Sequence, residues 1–372
     1  MTPGAYLPIA AEAIKGSLIH ELVGSAIPAT GSPLGLDLED ATVTFSEDWS
    51  PHVQATLTVP APTDESLYAV LDPLKRCKVQ ISTGYTYPDN TRDVQTLATL
   101  YLTGRGTKRP DNTIELAAAS AEALAQAAYL DPWTVPNRAG LTEWVTSLVT
   151  FAMYPETPVI TSTVGAGYAA TEIATIPAAP GDNVWDLIAE AASRTAIWIY
   201  ADGAGRWIIT ARPVATGAVA HTVATGPDGT VFSSDAQLSR EGFANICMGV
   251  YTWREGTTDK LVRGWAAISS GPLAPATAGR VMDVTEGKGP ISQAAANTKA
   301  SSRLANLSTR GRSLLLEAHA AYWLRPSNTI TTKLETGPAE DVLVRSVTYA
   351  PLAGTMNITT RQALNAPMTI GE

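Results

Sequence analysis

Over residues 1–130 apolar and polar positions alternate in short runs and do not recur at helical spacing. Val43 and Phe45, then Val53, Ala55, Leu57 and Val59, stand two apart, the period at which a strand presents one face. The pattern predicts strands over 17–23, 41–46, 52–59, 77–83, 96–103 and 113–119. Between them residues 64–71 predict one short helix, capped by Asp64 and stopped near Pro73. Short strands at this spacing with a single small helix predict an antiparallel barrel or sandwich.

The period changes after Asp131-Pro132-Trp133 and Pro136-Asn137. Leu141, Trp144, Val145, Leu148, Val149 and Ala152 mark an amphipathic helix ended by Pro155. Burying its large side chains is worth about 1.5–3 kcal/mol each, so this helix needs a partner surface. A connection rich in Gly, Ala, Thr and Pro, residues 157–180, leads to Gly181-Asp182-Asn183, which breaks the backbone and offers a cap. Val184, Leu187, Ile188 and Ala191 then form one apolar helical stripe. Ile197-Trp198-Ile199-Tyr200 predicts a strand, Asp202-Gly203-Ala204-Gly205 a turn, and Trp207-Ile208-Ile209 a second strand. No reactive side chain lies in this helix and hairpin, which read as a packing unit.

Strand character resumes at 230–232 and 244–251, followed by a looser region, 267–278, with Gly271-Pro272 and Pro275. Pro290 opens a helix to about Arg310, with Ala294, Ala300, Leu304 and Leu307 facing inward and Gly311 just past its end. Strands are predicted again at 313–320, 329–335, 342–350 and 355–360, with residues 324–328 as the turn between the first two.

The phrase Asn183-Val184-Trp185-Asp186-Leu187-Ile188-Ala189-Glu190, with the run from Ile197 to Trp207, resembles the inserted domain of phage tail hub proteins, the baseplate-hub-like minor tail proteins of long-tailed phages. The stretch from Leu324-Arg325-Pro326-Ser327-Asn328 through Val342-Leu343-Val344-Arg345 to Met356-Asn357-Ile358 resembles the end of that family's second barrel. The resemblance implies a mainly β chain with α/β insertions: two tube-like antiparallel β-barrel domains plus two smaller inserted domains. The first barrel would span 1–130 and the α/β domain 131–215. The second barrel would take 216–262 and 311–372, interrupted by an inserted domain with one helix at 263–310. It further implies a structural virion protein, a homotrimeric hub that closes the distal end of the tail tube. Two barrels in each of three chains would make a six-barrel ring matched to a six-fold tube. The implied partners are the distal tail protein or tail tube protein, the C-terminus of the tape measure protein, and central fibre or tip proteins. Its place would be the virion's distal tail tip, after synthesis in the host bacterial cytoplasm, with a channel that passes DNA on ejection.

Composition adjusts this picture in two ways. Only 16% of the residues are charged, which fits either a surface covered by partners or a neutral Thr- and Ala-rich soluble protein. The net charge of −9 argues against sequence-specific nucleic-acid binding, and an acidic lining would suit a channel that DNA must not stick to. No run reaches the roughly 18 apolar residues that cross a bilayer, and residues 1–18 lack the pattern of a signal peptide, so no membrane insertion by this chain is expected. Cys77 and Cys247 lie in apolar strand-like runs and are expected as buried free thiols.

Candidate chemistry is sparse. His20, His52, His221 and His319 stand in no metal-ligand spacing, and His20 and His52 are expected on strand surfaces. Gly104-Arg105-Gly106 and Gly203-Ala204-Gly205 read as hairpin turns and lack the third glycine of a dinucleotide loop. The acidic pairs Glu39-Asp40, Glu47-Asp48 and Glu340-Asp341 read as solvated turn or strand-edge positions, not glycosidase carboxylates. Catalytic, cofactor and metal residues are therefore expected to be none, and the chain not an enzyme. Nine tryptophans against four phenylalanines leave an interface role open for the group, Trp49, Trp133, Trp253, Trp265 and Trp323 lying nearer turns or edges. The alternatives are a tail-associated cell-wall hydrolase and a carbohydrate-binding receptor module that uses these tryptophans.

Overall fold

The structure, a computed structural model, describes residues 6–7, 9–16, 18–61, 65–227, 229–335, 337–364 and 367–371. The cap expected at Asp64 and the strand start expected at Ser17 lie outside them. With 43% strand and 19% helix the chain is mainly β, as its alternation implied.

After a short helix α1 (Ala10–Ala13) come β1 (Ile19–Ile27), β2 (Leu34–Leu36), β3 (Asp40–Ser46), β4 (Val53–Pro60), helix α2 (Glu65–Val70), β5 (Lys78–Thr86), β6 (Arg92–Lys108) and β7 (Thr113–Ala119). The alternating positions of β3 and β4, among them Val43, Phe45, Val53 and Leu57, are buried. Gly104-Arg105-Gly106 is not a turn. It lies inside the long strand β6, where the pairing with β7 slips one position between Leu102 and Gly104. Glycines without a Cβ tolerate that bulge, and the chain reverses only beyond Lys108.

The middle of the chain holds α3 (Glu122–Ala127), α4 (Leu141–Met153), β8 (Val159–Ser162), α5 (Ala170–Ala174), α6 (Val184–Thr195), β9 (Ile197–Ala201) and β10 (Arg206–Ala211). Its three-stranded sheet has the order β8-β10-β9, β8 running parallel to β10. Asn183 caps α6, its Oδ1 accepting from the amides of Trp185 (2.9 Å) and Asp186 (3.2 Å). The stripes of α4 and α6 meet over this sheet around Trp144 and Trp207, both fully buried. Trp144 Nε1 donates to the Leu187 carbonyl at 3.3 Å, so neither indole buries an N–H without a partner on this face.

The remainder comprises β11 (Val219–Ala224), β12 (Val231–Leu238), β13 (Ile246–Glu255), β14 (Thr258–Ile268), α7 (Pro275–Ala278), β15 (Met282–Lys288), α8 (Gln293–Ser308), β16 (Arg312–His319), β17 (Thr329–Lys333), β18 (Glu340–Ala350), β19 (Thr355–Arg361) and β20 (Met368–Ile370). A small sheet, β15-β13-β14-β20, packs under α8. Residues 244–251, expected in the second barrel, thus pair with the helix-bearing insert. On α8 the buried alanines are Ala295, Ala296 and Ala300, whereas Ala294 is exposed. Six residues from Ala300 is a rotation of about 240°, which carries Ala294 off the stripe that Ala296, Ala300 and Leu304 share.

All remaining strands join one sheet whose main path is β12-β16-β19-β18-β3-β4-β7-β6-β5-β1-β2. β18 divides its edge: Glu340–Leu343 pairs with β17, which carries β11, and Ser346–Tyr349 pairs with β3. The two halves expected as separate tubes are therefore continuous through β3 and β18. Among the described residues neither half closes on itself by strand pairing. Residues 319–324 cross between them, with Ala320, Ala321, Tyr322 and Leu324 fully buried. Tyr85 Oη donates to the Ala320 carbonyl (2.6 Å) and Tyr349 Oη to the Leu324 carbonyl (2.7 Å). The Tyr322 ring lies against Tyr6, Tyr85 and Tyr349, so one aromatic core serves both halves. Residues 324–328 make a turn, but β16 and β17 do not pair with each other.

Two polar junctions hold the parts together. At the first, the β9–β10 turn docks on the large sheet: the Thr99 amide donates to the Gly203 carbonyl (2.6 Å), and a Cβ at Gly203 would lie 3.0 Å from the Leu97 carbonyl oxygen. Beside it His52 is buried, not on a strand surface, with its ring against Trp198 and Tyr200 and its Nδ1 on the Ser46 carbonyl. Glu122, 1% exposed, accepts from the His52 amide and from Ser120 Oγ. Burial pushes the Glu122 carboxyl up to about 7, against the pull of those hydrogen bonds. The folded chain therefore holds this proton more tightly than the unfolded chain, and stability falls as pH rises from the ordinary Glu range through 7. Glu122→Gln is expected to flatten that slope and to stabilise the chain at about pH 8 by on the order of 2 kcal/mol, read as urea midpoints at about pH 5 and pH 8.

At the second junction, Glu47 and Asp48 follow β3. The expectation of a solvated pair fails for Glu47, whose side chain is 1% exposed and ion-paired with Arg361 of β19. Asp48 takes Arg345 of β18 on one oxygen and Arg310, just beyond α8, on the other. Arg212, just beyond β10, donates to the Glu47 carbonyl (2.8 Å) and to Asn306 of α8 (2.9 Å). Four segments distant in sequence converge here.

Candidate assembly surfaces

The four histidines are not brought into one catalytic group. His20 Nδ1 meets Tyr322 Oη (2.9 Å), His221 packs edge-on against Trp323, and His319 against Phe232. Burial pushes His20, His52 and His221 down to about 4, so all three are neutral at neutral pH. Among the described residues no group of three or more His, Cys, Asp and Glu side chains is placed to hold a metal ion. Glu39 and Asp40 are exposed, and Glu340 forms a two-bond ion pair with Arg312. Cys77 and Cys247 are buried free thiols. Among the described residues no helix is long and apolar enough to cross a membrane.

What the fold leaves unfinished is an edge. Among the described residues β12 is a terminal strand of the large sheet and pairs with β16 alone. Every one of its residues from Phe232 to Leu238 is exposed, on both faces. Ser234, Ala236 and Leu238 share one face, with Leu238 81% exposed, and Phe232 stands in the bulge between Val231 and Ser233. That face borders a hollow of about 510 Å3 walled by Leu314 of β16 and Thr332 of β17. A strand with an open edge, two solvated faces and apolar side chains is an association surface unless another chain covers it. The strand expected at 230–232 covers only the start of β12, whose later residues Ser233, Ser234, Asp235 and Gln237 carry little strand preference of their own.

A second apolar surface lies at the loop before α4, where Tyr129, Trp133 and Val135 are exposed, Trp133 at 84%. Of the tryptophans placed near turns or edges, Trp49 and Trp133 are exposed, whereas Trp253 packs on the insert's core and Trp323 on the large one. Trp144 and Trp207 are core residues.

No protein-family profile matches the sequence, and no curated protein matches it. Solved structures do match the fold. The tail protein from Neisseria meningitidis MC58 superposes with a TM-score of 0.61 at 12% identity, covering 92% of this chain and 96% of that one. The 43 kDa tail protein of prophage MuSo2 from Shewanella oneidensis gives 0.59 at 12% identity, over 92% and 98% of the two chains. Prophage tail protein gp18 from Listeria monocytogenes EGD-e gives 0.55 at 10% identity, over 92% and 94%. The likeness drawn from the helix–hairpin phrase and the closing strands is thus matched in three dimensions: the chain has the fold of these phage tail proteins.

Proposed function

We propose that this chain, sharing its fold with phage tail proteins, is a structural virion protein: a homotrimeric tail hub at the distal end of a non-contractile tail. The observation that carries the reading is the fold match over 92% of the chain, end to end with proteins of similar length. Two half-sheets per chain suit a three-fold ring that presents six similar units to a six-fold tube. The domain division proposed is a first tube-like unit at 1–130, an α/β domain at 131–215, and a second unit at 216–262 and 311–372 around an insert at 263–310, with β13, β14 and β20 lent to the insert's sheet. We assign the exposed strand β12 to the contact between copies. One face of the ring would meet the distal tail protein or tube, the other the fibre or tip proteins. The channel would hold the tape measure C-terminus and then pass DNA, which an acidic chain of net charge −9 does not bind. No enzymatic step is part of this role.

The test is mass by light scattering together with single-particle electron microscopy of the purified chain at high concentration. A particle of three chains around an open channel is expected. A particle of one chain even at high concentration, with none recovered on adding tube or distal tail protein, would overturn the hub reading.

A further inference from the structure

We infer that the junction of Arg212 and Arg310 at the floor of the interdomain cleft is a binding site for an oxyanion, a carboxylate or phosphate group carried by a partner or a small molecule. The cleft, about 1030 Å3, lies between α6 and α8 and is bordered by Arg212, Arg310, Trp198 and Asn306 at one end. The inference does not depend on the tail assignment.

Charge carries the argument. Arg212, Arg310, Arg345 and Arg361 gather on Glu47 and Asp48, four positive charges against two negative ones, which leaves two unbalanced. No other carboxylate among the described residues pairs with these four guanidiniums. The C-terminal carbonyls of α8 contribute only a fractional negative charge, and the Thr309 carbonyl already accepts from the Gln362 amide (3.4 Å). The surplus is partly withdrawn from water: side-chain exposure is 7% for Arg361, 22% for Arg212 and 33% for Arg310. Withdrawn like charges of this kind are costly, and a bound anion relieves the cost. The strain shows on Arg212, which burial, then the charges of Arg361 and Arg310, push below the ordinary arginine range despite the attraction of Glu47 and Asp48.

Geometry supplies the donors. Arg310, which borders the cleft, spends one side-chain N–H on Asp48 Oδ1 at 3.2 Å. Arg212 lies over the Trp198 ring, 5.3 Å from its centroid, while Asn306 and the Glu47 carbonyl fix its fork. The other cations of the cleft each meet a carboxylate directly: Lys299 and Arg194 share Glu190, which leaves one charge over there, and Arg303 pairs with Asp283. The larger excess, two charges against one, therefore lies at the Arg212 and Arg310 junction. Guanidinium forks favour bidentate oxyanions over a spherical halide.

The test is calorimetric titration of the intact chain with inorganic phosphate and, separately, with succinate, at an ionic strength fixed with chloride. One saturable site per chain is expected for at least one anion, weakened at least tenfold in Arg310→Gln and unchanged in Lys260→Gln on the far hairpin. Arg310→Lys, which keeps the charge and the contact with Asp48, guards against a folding failure and should bind with intermediate affinity. Tighter phosphate binding would point to a phosphorylated ligand, tighter succinate binding to a peptide carboxylate. Heats no different from chloride, or equal affinity in Arg310→Gln and wild type, would overturn the inference.

Discussion

Glu47→Ala is expected to destabilise the chain by about 3–5 kcal/mol, measured by urea denaturation. The carboxylate and its partner Arg361 are 1% and 7% exposed, so truncation strands a guanidinium with no water to replace the lost partner. Arg361 would keep only the Pro213 carbonyl, to which one of its terminal nitrogens donates at 2.7 Å. Ser327 Oγ, 3.1 Å from the other carboxylate oxygen, would lose its acceptor too. The loss reaches β19 through Arg361 and the 324–328 turn through Ser327, while Asp48 next door still holds Arg345 and Arg310. The pair itself need not be stabilising relative to an apolar one. Glu47→Met with Arg361→Leu is expected to recover most of the stability, because it removes both charges together. A single variant no less stable than wild type would show that the junction does not tie the halves.

The elements most legible in the sequence were those whose burial follows from local period. β7 occupies the residues expected, 113–119, and α4 and α6 bury the stripes read from their spacing. The alternation of Val53, Ala55, Leu57 and Val59 likewise placed β4 to within a residue. Legibility failed where a residue's role is set from far away. Glu47 reads as a solvated carboxylate because the arginine that buries it stands 314 positions further along the chain. His52 reads as a surface residue because Trp198 and Tyr200 cover it from another sheet. β8 hides in a stretch whose Gly, Ala, Thr and Pro content suggests a loop, and becomes a strand only by pairing parallel to β10. The continuity of β3 with β18 joins residues about 300 apart, a pairing that no local pattern encodes.

Phe232→Lys with Leu238→Lys is expected to reduce the proposed three-chain particle to single chains by light scattering while leaving the fold intact. The two side chains stand near opposite ends of β12 and are 54% and 81% exposed, so their loss removes little packing from the single chain, about 1 kcal/mol or less. Phe232 gives up only an edge contact with His319, and Leu238 closes no core. In an assembly the same positions would be covered, and two ammonium groups would have to be desolvated at every contact between copies. A ring repeats that penalty at each of its contacts, so even a few kcal/mol per contact dissociates it at micromolar concentration. Lysines on an edge strand also oppose pairing by a second strand, the device by which sheet proteins keep open edges apart. Unchanged circular dichroism and an unchanged urea midpoint would locate the effect in assembly and not in folding. A variant that still forms particles of three chains would remove β12 from the contact and direct attention to the exposed Trp133 and Val135 loop.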